Sequence, residues 1–489
     1  MRHLAVSKAL GLLLSLLSIS FLLPIATGLY FAEPASAFLY PYLLPALVSV
    51  TIGAMLLYVG RGEEDLRDRD ALLTVALAWL LISVLGSLPY ILAGALPSPV
   101  DAFFESVSGF TTTGLSVLVN VEDFTVTPHS LLLWRAETQL LGGMGIIVLS
   151  MVVLSRVVGG STQLFRAEAA PHISMRIRPS IRQIAGSLWL IYIGFVLLET
   201  FLLWAAGMGA FDAVCHSFAT LATGGFGTKN ASIAAYNGAP AIGTIITVFM
   251  ILGATNFTVH YDLLTGKVRK ALRNSEARLY IGVLLAGAAL IFVSLLFQGG
   301  QQGSFWETAA HSMFQAASAI SSTGFSTANL TAWPSATLLM LIALMLIGGC
   351  SGSTAGALKV IRFIVLLKMV RNEISKVLHP HAILPITLGG RPVPSEVVRN
   401  VISYFFIYIS AFFLVALGLA FAGMTVLEAV SHSASALGNV GLAFGSYGQI
   451  GNFSALHPAG KLLLSAAMWI GRLEVYPALL LLSPRAYRR

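Results

Sequence analysis

Apolar stretches long enough to cross a bilayer, about 20 residues each as a helix, recur from one end of the chain to the other, separated by short polar segments. Residues 9–59 hold two of them. From residue 71 onward the pattern becomes regular: an apolar span, a shorter half-polar segment with a glycine-containing end (preceded by threonine or serine in the first three), then a second apolar span, four times over. The paired spans are 71–95 and 128–157, 184–208 and 240–264, 279–298 and 335–370, and 396–422 and 459–483. The pattern predicts ten transmembrane helices, two of them outside the repeat. Two spans per unit return the chain to its starting side, so all four units share one orientation. The basic start (Arg2, Lys8) followed by apolar residues has the look of a signal peptide, but the run continues to about Tyr30 and another begins near Phe38. Two retained spans are expected there.

The four half-polar segments align as FFESVSGFTTTGLS (103–116), CHSFATLATGGFG (215–227), FQAASAISSTGFS (314–326) and SHSASALGNVGLA (431–443). Each ends in a glycine followed by Leu or Phe, namely Gly114, Gly225, Gly324 and Gly441, and nine residues before it stands Glu105, His216, Gln315 or His432. A second glycine follows 24–30 residues later in each closing span: Gly142, Gly253, Gly348 and Gly471. About ten helical residues turning into an extended polar chain describe a re-entrant hairpin. Irregular backbone at membrane depth is tolerated only where protein buries it or it lines a wet cavity, so four hairpins point to a ring around one axis. A potassium filter works by replacing the hydration shell of the ion with backbone carbonyls, and glycine permits the positive φ such a strand needs. The candidate filter residues are Thr112, Thr113 and Gly114; Thr223, Gly224 and Gly225; Ser322, Thr323 and Gly324; and Asn439, Val440 and Gly441. No carboxylate lies among them, which suits a monovalent cation better than Ca²⁺.

Composition strengthens this picture. The chain of 489 residues is 56% hydrophobic and only 10% charged, with a mean hydropathy of +0.83, against about a quarter charged in soluble domains. The net charge of +8 does not indicate nucleic acid, because 25 of the 29 basic residues sit in a few connecting segments and at the termini. Segment 97–127 carries Asp101, Glu105, Glu122 and Asp123 and no Lys or Arg. This alternation predicts cytoplasmic termini and basic loops, with acidic or neutral loops outside. Cys215 and Cys350, in different repeats, form no disulfide framework and are expected to be buried small residues. No zinc-protease, P-loop or dinucleotide-binding motif is present, so an enzyme is not expected.

The third closing span is interrupted by GGCSGSTAGALK (348–359). Gly348, Gly349, Ser351, Gly352, Ser353, Thr354 and Gly356 are poor helix formers, and such a tract serves either close helix packing or a mobile loop. Arg472 lies deep in the last span, where a charge is costly unless paired or hydrated. Glu474, two residues on, faces another side of a helix, leaving a pair with some other helix or a role at the pore. For Arg135, Glu137, Asn256 and His260, also inside spans, buried hydrogen bonding is expected.

Taken together, the four filter-like loops, the second glycine landmarks and the two extra N-terminal spans make the chain resemble, over its whole length, the Trk/Ktr/HKT superfamily of cation transporters, most closely its TrkH branch. The resemblance implies an all-α polytopic membrane protein: four helix–pore-loop–helix repeats in pseudo-fourfold arrangement around one pore, plus two extra N-terminal helices. The division would be 1–65 for the extra helices and 66–160, 161–270, 271–380 and 381–489 for the repeats. Glycine at all four filter positions implies gated K⁺ uptake down the electrochemical gradient, with K⁺ held at the filter residues only and no bound cofactor. A non-selective Na⁺/K⁺ channel and an H⁺- or Na⁺-coupled symporter of the same fold are the alternatives. Asn439-Val440 departs from the Thr/Ser pattern of the other repeats, so equal ion affinity at each is not expected. The family further implies that 348–359 is a gating loop beneath the filter with Lys359 at its cytoplasmic end, and that Arg472 faces the pore beside it. It also implies a homodimer in the inner membrane, contacting lipid, with a cytosolic nucleotide-binding regulatory subunit (TrkA-like) docked on the basic loops 156–182 and 359–399.

Overall fold

The computed structural model describes residues 3–61, 68–152, 181–299, 303–382, 384–389, 391–447 and 452–482. Before the repeated pattern come α1 (His3–Ser20), α2 (Leu22–Tyr30) and α3 (Ala35–Val59). The first unit comprises α4 (Asp68–Leu92), the half-length α5 (Pro99–Phe110) and α6 (His129–Val152). Next are α7 (Ile181–Ala205), the half-length α8 (Ala210–Leu221), α9 (Pro240–Gly253), α10 (Phe257–Leu264) and the short α11 (Val268–Leu272). The third unit comprises α12 (Ser275–Gln298), the half-length α13 (Phe305–Ile320), α14 (Ser335–Ile347) and α15 (Val360–Leu378). Last come α16 (Ser395–Phe421), the half-length α17 (Val426–Gly438), α18 (Pro458–Arg472) and α19 (Tyr476–Leu482). One departure from an all-helical chain is a two-residue hairpin between α15 and α16, β1 (Thr387–Leu388) on β2 (Arg391–Pro392), pairing Thr387 with Pro392 and Leu388 with Arg391.

Among the described residues, six helical segments are long and apolar enough to cross a membrane: His3–Tyr30 (α1 and α2 joined through Phe21), Ala35–Val59, Asp70–Leu92, Gly186–Ala205, Ser275–Gln298 and Ser395–Phe421. They are the two extra spans and the four opening spans. The closing spans behave differently: α6 is continuous, but the second and fourth are interrupted as well as the third. The second bends by 100° between α9 and α10, and the fourth breaks after α18, where Glu474 and Val475 take φ values of 53° and 65°. The bend in the second has a local cause. Asn256 caps α10, its Oδ1 accepting the Thr258 amide at 2.9 Å, and His260 Nε2 donates to the Leu252 carbonyl at 2.9 Å. Both satisfy backbone groups that a broken helix leaves without partners.

Three of the four half-length helices start at side-chain caps, the exception being α8, which follows Gly209. Ser98 precedes Pro99 and accepts the Asp101 amide, while Ser304 with Glu307 and Thr425 with Glu428 form capping boxes, devices that fix a helix start in a membrane-embedded turn. Each half-length helix packs on the opening helix of its own unit: α5 on α4, α8 on α7, α13 on α12 and α17 on α16. Each also meets a closing helix from the unit before. α6 packs on α8, α9 on α13, α14 on α17, and α18 returns to α5. The half-length helices are therefore largely buried, and their inner residues join the main apolar core. Cys215 and Cys350 are both buried, and no disulfide joins them. The basic segment 156–182 lies, but for its last two residues, outside the described residues.

Candidate functional site

The four half-length helices end the same way. The first residue of each candidate tripeptide is left-handed, with φ of 53° at Thr112, 54° at Thr223, 57° at Ser322 and 51° at Asn439. For β-branched threonine this region is an outlier, held here by burial and by hydrogen bonds. The second residue returns its amide to the helix: Thr113 to the Ser108 carbonyl (2.8 Å), Gly224 to Ala219 (2.8 Å), Thr323 to Ser318 (3.0 Å) and Val440 to Ser435 (2.9 Å). The third is the glycine, at φ of 88°, 77°, 86° and 85° in Gly114, Gly225, Gly324 and Gly441.

These glycines touch one another's segments in turn. A Cβ on Gly114 would stand under 3.0 Å from the Gly224 carbonyl oxygen, on Gly225 from that of Thr323, on Gly324 from that of Val440, and on Gly441 from that of Thr113. One cavity of about 140 Å³ is lined by all four glycines, with Arg135, Lys229 and Tyr447 among its other walls. Asn439 reaches across from the fourth segment to the first, its Nδ2 donating to Thr113 Oγ1 at 3.0 Å and to the Met468 carbonyl at 2.8 Å. Its departure from Thr/Ser thus carries a contact of its own.

Two of the four polar residues nine positions before the glycines brace the chain just beyond them, whereas His216 and His432 turn Nδ1 back to the Asp212 and Glu428 carbonyls of their own helices. Glu105 accepts from Ser116 Oγ and the Val117 amide, each at 2.9 Å, and Gln315 Nε2 donates to Ser326 Oγ at 2.9 Å. Glu105 is also ion-paired at 2.9 Å with Arg135, which donates to the Gly227 carbonyl at 3.2 Å and lies over the Phe226 ring. Arg135, Asn256 and His260 are thus hydrogen-bonded as expected. Glu137 differs, its buried Oε2 meeting no hydrogen-bond partner among the described residues.

Residues 348–359 form no helix. The loop leaves α14 at Gly348 (φ 76°) and enters α15 after Lys359 (φ 72°). It is tied on every side. The Cys350 amide donates to the Ala254 carbonyl at 2.9 Å, and the Phe257 amide to Gly352 at 3.1 Å. Thr354 Oγ1 stands 3.0 Å from both the Leu221 and Gly253 carbonyls. The Ser351 amide donates to Glu276 at 2.6 Å, and the Gly356 amide to Ser322 Oγ at 2.7 Å. Loop and third tripeptide are therefore in direct contact. Gly349 is held against Ala254, and Ser353 Oγ donates to the Cys350 carbonyl at 2.6 Å. Lys359 is buried and folds back to the Ala355 carbonyl at 2.5 Å.

Arg472 is buried, and among the described residues it forms no ion pair. It donates to two backbone carbonyls, Thr354 in the loop at 2.8 Å and Gly142 in α6 at 2.9 Å. The carboxylate two residues on, Glu474, is bound instead to Arg362 of α15, whose guanidinium lies 4.0 Å over the Tyr404 ring. No sequence signal links Arg362 to Glu474, Glu105 to Arg135 or Glu276 to Ser351, because each pair is distant along the chain.

The model of the TrkH family, described as a cation transport protein, matches residues 45–486. The chain is 36% identical to the Trk system potassium uptake protein TrkH of Escherichia coli strain K12 over 99% of both chains. It is 32% identical to the TrkG protein of the same system and strain, over 98% of this chain and 97% of that one. The crystal structure of the potassium transporter TrkH from Vibrio parahaemolyticus superimposes over 100% of both chains, with a TM-score of 0.90 at 33% identity. By sequence over nearly its whole length and by fold, the chain belongs to the TrkH family of cation transport proteins.

Proposed function

We propose that this protein takes up potassium through a selective, gated pore whose filter is built from the four tripeptides ending at Gly114, Gly225, Gly324 and Gly441. What carries the reading is that one cavity is lined by all four glycines, each packed on the next segment's carbonyl in an order that closes on itself. Four segments with one backbone signature, arranged in that cyclic order, support a pseudo-fourfold ring of repeats bounded as 66–160, 161–270, 271–380 and 381–489. The names of the relatives supply the ion. In this reading a K⁺ ion exchanges its hydration shell for oxygens of the ring, and the C-terminal ends of the half-length helices favour a cation beneath them. The protein sits in the inner membrane with its termini and basic loops in the cytoplasm. It pairs with a second copy and with a nucleotide-binding subunit on those loops. The test is ion uptake by liposomes carrying the purified protein, with K⁺ or Na⁺ as the sole permeant cation. A K⁺ preference supports the reading; equal uptake of both ions refutes it.

The loop 348–359 serves as the gate, and Arg472 as a positive barrier that also fastens it. Its ties to Thr354 and Gly142 and its lack of an ion-pair partner among the described residues support that role. Arg472→Ala is expected to raise K⁺ uptake about tenfold, the scale of one unit charge acting at roughly 10 Å in a partly polar interior. The K⁺:Na⁺ ratio should stay unchanged. Unaltered uptake by a correctly inserted variant would sink the assignment.

A further inference from the structure

Three residues before each landmark glycine of the closing spans, at one shared register, stand Gln139, Met250, Met345 and Met468. All four are fully buried. Glutamine and methionine are close in length, so the first unit differs from the others at this site by an amide alone. A buried amide is unfavourable unless its donor and acceptor are both engaged, and here they are. Gln139 Nε2 donates to the Gly224 carbonyl at 2.7 Å, and its Oε1 accepts the Phe226 amide at 3.1 Å. These two backbone groups flank Gly225.

The segment held in this way is the one with no side chain at its second tripeptide position. At the second tripeptide position Thr113 shares a hydrogen bond with Thr111 at 2.8 Å, and Thr323 one with Ser321 at 2.7 Å. The fourth segment has the buried Val440 side chain there. The second has Gly224, and a Cβ on it would run into the Gln139 amide, under 3.0 Å from its carbon, oxygen and nitrogen. A side chain from the first unit thus occupies the space that a side chain at position 224 would otherwise take.

We infer that Gln139 is a positioning residue for ion selectivity, clamping the Thr223-Gly224-Gly225 segment from behind so that it holds the same spacing as the other three. The inference rests on the reading of that segment as part of a potassium filter. It is tested in proteoliposomes by measuring K⁺ and Na⁺ uptake for wild type, Gln139→Met and Gln139→Glu. Methionine recreates the site of the other three units and removes both hydrogen bonds. Glutamate keeps an acceptor for Phe226 and loses the donor to Gly224. Both are expected to elute as folded protein while the K⁺:Na⁺ uptake ratio falls, by at least about fivefold in Gln139→Met, the scale of one net hydrogen bond out of the two removed. A wild-type ratio in either folded variant overturns the inference, as does loss of folding in both, which would make Gln139 a residue of stability alone. Wild-type protein that takes up Na⁺ as fast as K⁺ defeats the filter reading itself, a result separable from either.

Discussion

Alanine in place of Gly225 is expected to cut potassium uptake by at least about thirtyfold. Gly225 holds φ at 77°, a region that costs an L-residue roughly 1–2 kcal/mol. Its new Cβ would also stand under 3.0 Å from the Thr323 carbonyl oxygen, a backbone atom that cannot swing aside, and overpacking of that kind adds about 1–3 kcal/mol. The sum, roughly 2–5 kcal/mol, is a factor of about 30 to several thousand, spent either on unfolding or on displacing the strand. Uptake per inserted protein in liposomes measures it, and a wild-type rate would remove this segment from the filter. Gly114→Ser probes the same contact in the first unit, at φ 88° against the Gly224 carbonyl. Its expected signature is a shift of the K⁺:Na⁺ ratio toward Na⁺.

The second large effect is expected at Glu474. This carboxylate is buried against Arg362 at the break between α18 and α19, and the buried cations Lys359 and Arg472 lie within its electrostatic reach. Removing one member of a buried pair leaves the other charged and unmatched, at a cost of about 3–5 kcal/mol. Glu474→Ala should therefore show a much lower melting temperature in detergent and poor recovery of folded protein. The double variant Arg362→Met with Glu474→Leu, which removes both charges, should regain most of the loss. A loss below about 1 kcal/mol, the range of surface pairs, would mean that water reaches the pair.

Much of the fold is legible in the sequence because two of its constraints are local. Hydropathy marks the opening spans, and five of the six apolar helical segments lie within a few residues of the stretches read from composition; the sixth, His3–Tyr30, starts earlier. The glycines announce positive φ, and all four candidate glycines have it. The left-handed residue two places earlier is not legible, since threonine, serine and asparagine there give no hint of φ near 50°. The broken closing spans were half visible. A glycine-rich tract is conspicuous in the third, but the bend in the second depends on Asn256 and His260 meeting backbone groups that become unpaired only once the helix has broken. Lys359, expected on the family resemblance at the cytoplasmic end of the loop 348–359, is buried and folded onto that loop. The ion pairs Arg135–Glu105 and Arg362–Glu474 join different helices, and no periodicity within one helix reports on a partner in another.

The contacts that run from Gly114 to Gly224, Gly225 to Thr323, Gly324 to Val440 and Gly441 back to Thr113 have a consequence for heredity. In an assembly of four identical subunits, one altered codon would change every quadrant of such a ring together. In the proposed filter ring each quadrant has its own codons, so a mutation changes the residues of one quarter and reaches its neighbours only through contacts such as those of Gly225 with Thr323 and of Asn439 with Thr113. In the proposed filter, ion preference is therefore open to adjustment in small, separately inherited steps. The unequal residues at the second tripeptide position, Thr113, Gly224, Thr323 and Val440, are the form that such stepwise adjustment would take.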